Sequence, residues 1–168
     1  MDFYTAAQIN KIAEQVRKHF GYGDDDYYVD ITRMANNGGV EVNEVEFDDP
    51  EVAGMLITKN GKQIININQE DSEERKRFTI AHEIAHAILH PNTTSAMHID
   101  YRQALKNYTN ESELTREIQA NMLAAALLMP VRLVRNAWDR LKDVDDVADL
   151  FKVSKRAAAI RLESLGLL

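Results

Sequence analysis

Apolar residues along this chain recur first at helical and then at strand spacing. From Thr5 to Phe20, Ile9, Ile12, Ala13, Val16 and Phe20 return every three or four positions, which marks one side of an amphipathic helix ended by Gly21-Tyr22-Gly23. A second short helix is predicted from Tyr27 to Met34, closed by Asn36-Asn37-Gly38-Gly39. The period then falls to two. Val40 to Phe47, Val52 to Thr58 and Gln63 to Asn68 read as strands, and Asn60-Gly61 is a strong hairpin turn between the last two. These runs predict a small three-stranded antiparallel sheet, with Gln63 to Asn68 as the edge against which an extended peptide could pair.

Helical spacing returns at Ser72 and continues to Leu89. Asp71-Ser72 supplies an N-cap, Glu73 and Glu74 are acidic in the first turn, and Pro91 lies just past the end. The second half of this helix is apolar on nearly every side, so it is a core helix. Residues 92 to 112 are polar and without clear periodicity except around Tyr101 to Tyr108, and are expected as a surface connection or a lid. A second core helix follows from Ser112 to Met129 and stops at Pro130. Beyond it come a helix from Val131 to Leu141 and a pair, Asp143 to Phe151 and Ser154 to Leu165, spaced like a helix-turn-helix.

The chemistry lies in the first core helix, at His82-Glu83-Ile84-Ala85-His86. Histidines four apart stand one turn above each other on one face, so both imidazoles reach one cation while Glu83 reaches the water beside it. Burying these three side chains without partners would cost several kcal/mol, and a shared cation satisfies all three together. That pattern points to a metallohydrolase. A third ligand is needed, and Glu117 is the best candidate: Glu117, Asn121, Ala124 and Leu128 fall on one stripe, flanked by alanines that permit close helix approach. Asn121, one turn on, is placed to hold a ligand histidine. Glu111 and Glu113 are the substitutes upstream. His90 continues the series from His86, but three consecutive turns of one straight helix cannot wrap a tetrahedral ion. His19 and His98 are isolated and are expected not to be ligands, while Tyr101, Tyr108 and His98 are residue types able to donate to a developing oxyanion.

The stretch from Arg77 to His90, with Glu117-x-x-Ala120-Asn121 and Ala124 to Pro130, resembles the ImmA/IrrE family of metallopeptidases. Ile64 to Asn68 and the segment from Val147 to Leu167 extend the resemblance over most of the chain. It implies an α+β, mostly helical zincin-like domain over residues 1–130 and a helix-turn-helix-like segment over 131–168 packed on it. It also implies Zn2+ held by His82, His86 and Glu117, with Glu83 as the general base. Family members typically cleave helix-turn-helix repressors, often encoded beside them on mobile elements or phages. The family often carries a second acid where this chain has Gln119, so no ligand is expected from that position.

Composition narrows the picture. At 168 residues and 45% apolar content the chain can bury one sizeable core. It contains no cysteine, which excludes disulfides and thiolate metal sites and suits a reducing cytoplasm. No leader-like or membrane-length apolar stretch stands out, so a cytoplasmic protein with no membrane partner is expected. The net charge of −7 argues against bulk nucleic-acid binding. From Lys142 to Leu168 five basic residues balance five acidic ones, so direct DNA binding is not expected of the helix-turn-helix-like pair. The competing class is a regulatory or toxin-like binding protein with a peptidase fold, acting through a partner or nucleic acid.

Overall fold

The computed structural model describes residues 3–91, 96–102 and 105–168. Helix α1 (Ala6–His19) opens with a capping box, in which Thr5 and Gln8 satisfy each other's backbone N–H groups. Helix α2 (Ile31–Asn37) starts later than the apolar pattern suggested, because the Asp30 side chain caps Arg33 N–H and fixes the start there. Strands β1 (Val40–Val45), β2 (Val52–Lys59) and β3 (Lys62–Asn68) follow, with Asn60 and Gly61 both at positive φ in the β2–β3 turn, as a twist-matched hairpin requires.

The sheet differs from the three-stranded antiparallel expectation. It has four strands in the order β1-β3-β2-β4, with β1 parallel to β3 and the other pairings antiparallel. Strand β3 is therefore central and not an edge. Alternation fixes which face of a strand is buried but not which neighbour it joins, and the β1–β2 connection passes β3, so that β1 pairs on the outer side of β3. The new strand, β4 (Met97–Tyr101), lies inside the segment expected to be a surface connection or lid, and forms the edge beside β2. Residues 92–95 and 103–104 of that segment lie outside the described residues.

Helix α3 (Glu73–Leu89) lies against the sheet face carrying Leu56, Ile65 and Ile67, and Ser72 caps it by accepting from Arg75 N–H. Gly54 permits the contact: a Cβ there would stand 2.4 Å from the Thr79 Cγ2. Helix α4 (Glu111–Leu128) packs along α3 and α1 through Ala120, Leu123, Ala124 and Leu127, all fully buried. Helices α5 (Val131–Leu141), α6 (Val144–Phe151) and α7 (Lys155–Ser164) contribute Leu133, Val134, Phe151 and Leu162 to the same hydrophobic cluster as Ile80 and Leu127. Three buried arginines tie these layers by their backbone carbonyls. Arg17 donates to Leu127 O at 2.7 Å, Arg161 to Met129 O at 3.0 Å, and Arg77 to Val29 O at 2.6 Å and Lys152 O at 3.0 Å. Among the described residues no single helix is long and apolar enough to cross a membrane.

Candidate metal centre

Helix α3 presents His82 and His86 one turn apart, and α4 brings Glu117 across to them. The three ligating atoms converge. His82 Nε2 lies 3.0 Å from His86 Nε2, and the two Glu117 oxygens lie 3.2 Å from His82 Nε2 and 3.2 Å from His86 Nε2. All three residues are buried, at 3%, 2% and 7% exposure. A tetrahedral cation with bonds of about 2.0–2.1 Å sets its ligand atoms roughly 3.3–3.4 Å apart, so this donor set fits one with small adjustment. Asn121 Oδ1 is 3.0 Å from His82 Nδ1. By accepting there it holds the tautomer that leaves His82 Nε2 facing His86 and Glu117.

Glu83 points to the other side of the same cluster and is fully buried. Its Oε2 accepts from His98 Nδ1 at 3.0 Å, and its Oε1 has no hydrogen-bond partner among the described residues. His98 is thus not isolated. It stands on β4, and its Nε2 also reaches Glu117 Oε1 at 3.3 Å. Asp100, two residues on and on the same strand face, comes within reach of His82 and Glu83. Both were hidden in a segment that looked irregular, yet Met97-His98-Ile99-Asp100-Tyr101 alternates apolar with polar residues, and that period of two was the available signal. Tyr101 falls on the opposite face, 41% exposed, away from this cluster. Glu111 and Glu113 are exposed on α4, His19 is exposed on α1, and the His90 ring lies 5.8 Å from that of His86 at the α3 C-cap.

The electrostatics follow from close packing of opposite charges. Burial opposes a charge on His82, but Glu117, Asp100 and Glu83 outweigh it and raise the imidazole to about 9. Burial likewise opposes charging His98, and its bonds to Glu117 and Glu83 carry it to about 10. His86 goes the other way, to about 3, through burial and the neighbouring positive rings. Burial works to raise the Glu117 carboxyl, yet His82, His86 and His98 together hold it well below the usual carboxylate range. Burial raises Glu83 above its ordinary value, with His98 opposing. Without a cation, protons on His82 and His98 supply the positive charge that the carboxylates need.

A family model described as the IrrE N-terminal-like domain, Peptidase_M78, matches residues 35–163. The chain belongs to this family. The match covers α3, β4 and α4, and so every member of the cluster just described. The radiation response metalloprotease IrrE of Deinococcus deserti is 38% identical over 79 residues, an alignment covering 46% of this chain and 26% of that protein. A Mycobacterium tuberculosis transcriptional regulator superposes with a TM-score of 0.68 over 92% of this chain and 46% of its own, at 17% identity, a likeness of fold. This IrrE-like chain therefore spans about a quarter of the first relative's length and about half of the second's.

Proposed function

We propose that this chain is a zinc-dependent endopeptidase whose substrate is a helix-turn-helix transcriptional repressor. The observation that carries the reading is the convergence of His82, His86 and Glu117 on one point, with Glu83 beside it. Two imidazoles and a carboxylate suit zinc, and no thiolate competes. Zinc held there supplies Lewis acidity, which polarises a peptide carbonyl and makes water easier to ionise near neutral pH. Glu83 takes the proton from the attacking water and returns it to the leaving amine. Its raised pKa, caused mainly by burial, suits a group that must both accept and release a proton.

His98 orients Glu83 through the 3.0 Å bond to Oε2, and Asn121 orients His82. The edge strand β4 offers its outer backbone groups to an extended peptide, and a peptide paired there passes the strand face carrying His98 and Asp100. A net charge of −7 favours a basic protein as the partner. The choice of a repressor, and with it a cytoplasmic setting, rests on the ImmA/IrrE resemblance.

The test is to incubate the zinc-loaded chain with a helix-turn-helix repressor encoded beside its gene and to weigh the products by intact mass spectrometry. Wild type should give two complementary fragments, while Glu83→Gln should keep its zinc and cut at least about 100-fold more slowly. Intact repressor retained in complex by both proteins contradicts the enzyme and favours the binding-protein alternative.

A further inference from the structure

Peptide hydrolysis builds negative charge on the former carbonyl oxygen, and a hydrogen-bond donor aimed at that oxygen lowers the barrier. His82, His86 and Glu117 hold the cation and Glu83 moves the proton, which leaves the oxyanion without a donor from the chain. Those four side chains are at most 9% exposed, whereas 22% of the His98 side chain is exposed. The His98 ring is therefore the border of the cluster with solvent, and it stands on the edge strand β4.

The ring spans the two groups between which the reaction must run. Nδ1 lies 3.0 Å from Glu83 Oε2 and Nε2 lies 3.3 Å from Glu117 Oε1, with the ring centroid 4.1 Å from that of His86. Carboxylate oxygens accept, so both ring nitrogens donate. That second proton still has a use beside a bound divalent cation, because Glu117, Glu83 and the adjoining Asp100 carry three negative charges against its two positive ones. The contact with Glu117 is the looser, longer than the roughly 2.7–2.9 Å of a charge-assisted bond. A Glu117 oxygen shared with a cation also accepts less strongly, so Nε2–H is the group free to turn to a substrate.

We propose that His98 is a catalytic residue whose Nε2–H stabilises the oxyanion of the tetrahedral intermediate. The inference rests on the peptidase reading above. A peptide paired along β4 runs beside the strand that carries His98, which brings a carbonyl to the exposed edge of the ring. Glu83 takes a proton from the attacking water as the water oxygen bonds to the carbonyl carbon. The C=O π pair moves to the carbonyl oxygen, where Nε2–H meets it. That pair returns as the C–N bond breaks and Glu83 hands the proton to the leaving amine. The ring thus bonds an atom that is charged only during the reaction, and it contributes to kcat more than to KM.

Two measurements on the zinc-loaded full chain test this. One is steady-state cleavage of the helix-turn-helix repressor. The other is calorimetric binding of a phosphinic peptide bearing the sequence around the cleaved bond, whose tetrahedral anion copies the intermediate. His98→Phe keeps a ring but has no N–H. It should keep its zinc by elemental analysis and lose about 10²–10³-fold in kcat and in phosphinate affinity alike, with KM within about threefold of wild type. His98→Gln places an amide N–H near the Nε2 position and should recover at least about 10-fold of both losses. If far-UV circular dichroism shows His98→Phe misfolded, His98→Ala takes its place. A fall in kcat with unchanged phosphinate affinity overturns the proposal, because His98 then acts only by orienting Glu83, and an unchanged kcat overturns it as well. A wild-type chain that holds zinc but cuts no repressor contradicts the peptidase reading itself, and the role of His98 falls with it.

Discussion

Two groups of buried charge sit in this fold and are satisfied in opposite ways. Arg17, Arg77 and Arg161 are each bonded to backbone carbonyls of segments remote in sequence, and burial pulls each below the ordinary arginine value, Arg161 to about 10. They close the open carbonyl ends of α4 and α6, a structural task. His82, His86, Glu83, Glu117 and His98 bond mainly to one another, and one Glu83 oxygen has no partner. Buried charge that ends on backbone holds a scaffold together. In the second group the charges end on one another, around the point where His82, His86 and Glu117 converge.

The comparison is sharpened most by separating the two groups with single substitutions. Glu117→Gln keeps size and helix propensity but removes the charge, so zinc affinity measured by competition with a chelator should fall at least the roughly 10–100-fold seen for changes to groups that only support a ligand. Glu113→Gln, on the exposed side of α4, should leave it unchanged. The reverse ranking would break the assignment of the α4 face. In the other group, Arg161→Met strands Met129 O and should lower stability by about 1–3 kcal/mol, a drop of roughly 3–10 °C in Tm by calorimetry, with zinc stoichiometry intact. A variant that loses zinc as well would show that the two groups are not independent.

The smallest effect is a dependence on pH whose sign the metal reverses. In the metal-free protein His82 and His98 titrate near 9 and 10 against about 6.5 when unfolded, so the stability they confer is complete below about 6.5 and is lost as pH rises through 9 to 10. On the acid side, Glu117 and His86 are both lowered, so stability also falls as pH drops below about 6.5. Coordination needs neutral imidazoles, so the stabilisation by zinc should instead grow between pH 6 and 8. Thermal melts with zinc and with a chelator check this. Parallel curves would contradict it.

Much of this was readable from residue order where one element carries its own signal. The α3 start followed from Ser72 and its acidic first turn, and the α5 bounds followed from Pro130 and the apolar spacing after it. Glu117 and Asn121 were placed on one helical stripe because i and i+4 stand together, and the structure sets Glu117 beside His82 and His86 and Asn121 on His82. Sheet order was not legible, since β1 joins β3 through a pairing that no local pattern encodes. The contact of His98 with Glu83 and Glu117 was not legible for a related reason. Its strand is only Met97 to Tyr101, too short for its alternation to stand out, and what makes the histidine part of the site is the pairing of β4 with β2.

The central claim is that His82, His86 and Glu117 together hold one tightly bound divalent cation. Elemental analysis of the chain purified without chelator and dialysed against metal-free buffer tests it most directly. The account predicts close to one zinc per chain, retained in Glu83→Gln and absent from His82→Ala and His86→Ala. A wild-type chain that carries no metal and takes up none on titration, or a His86→Ala chain that keeps a full equivalent, would contradict it.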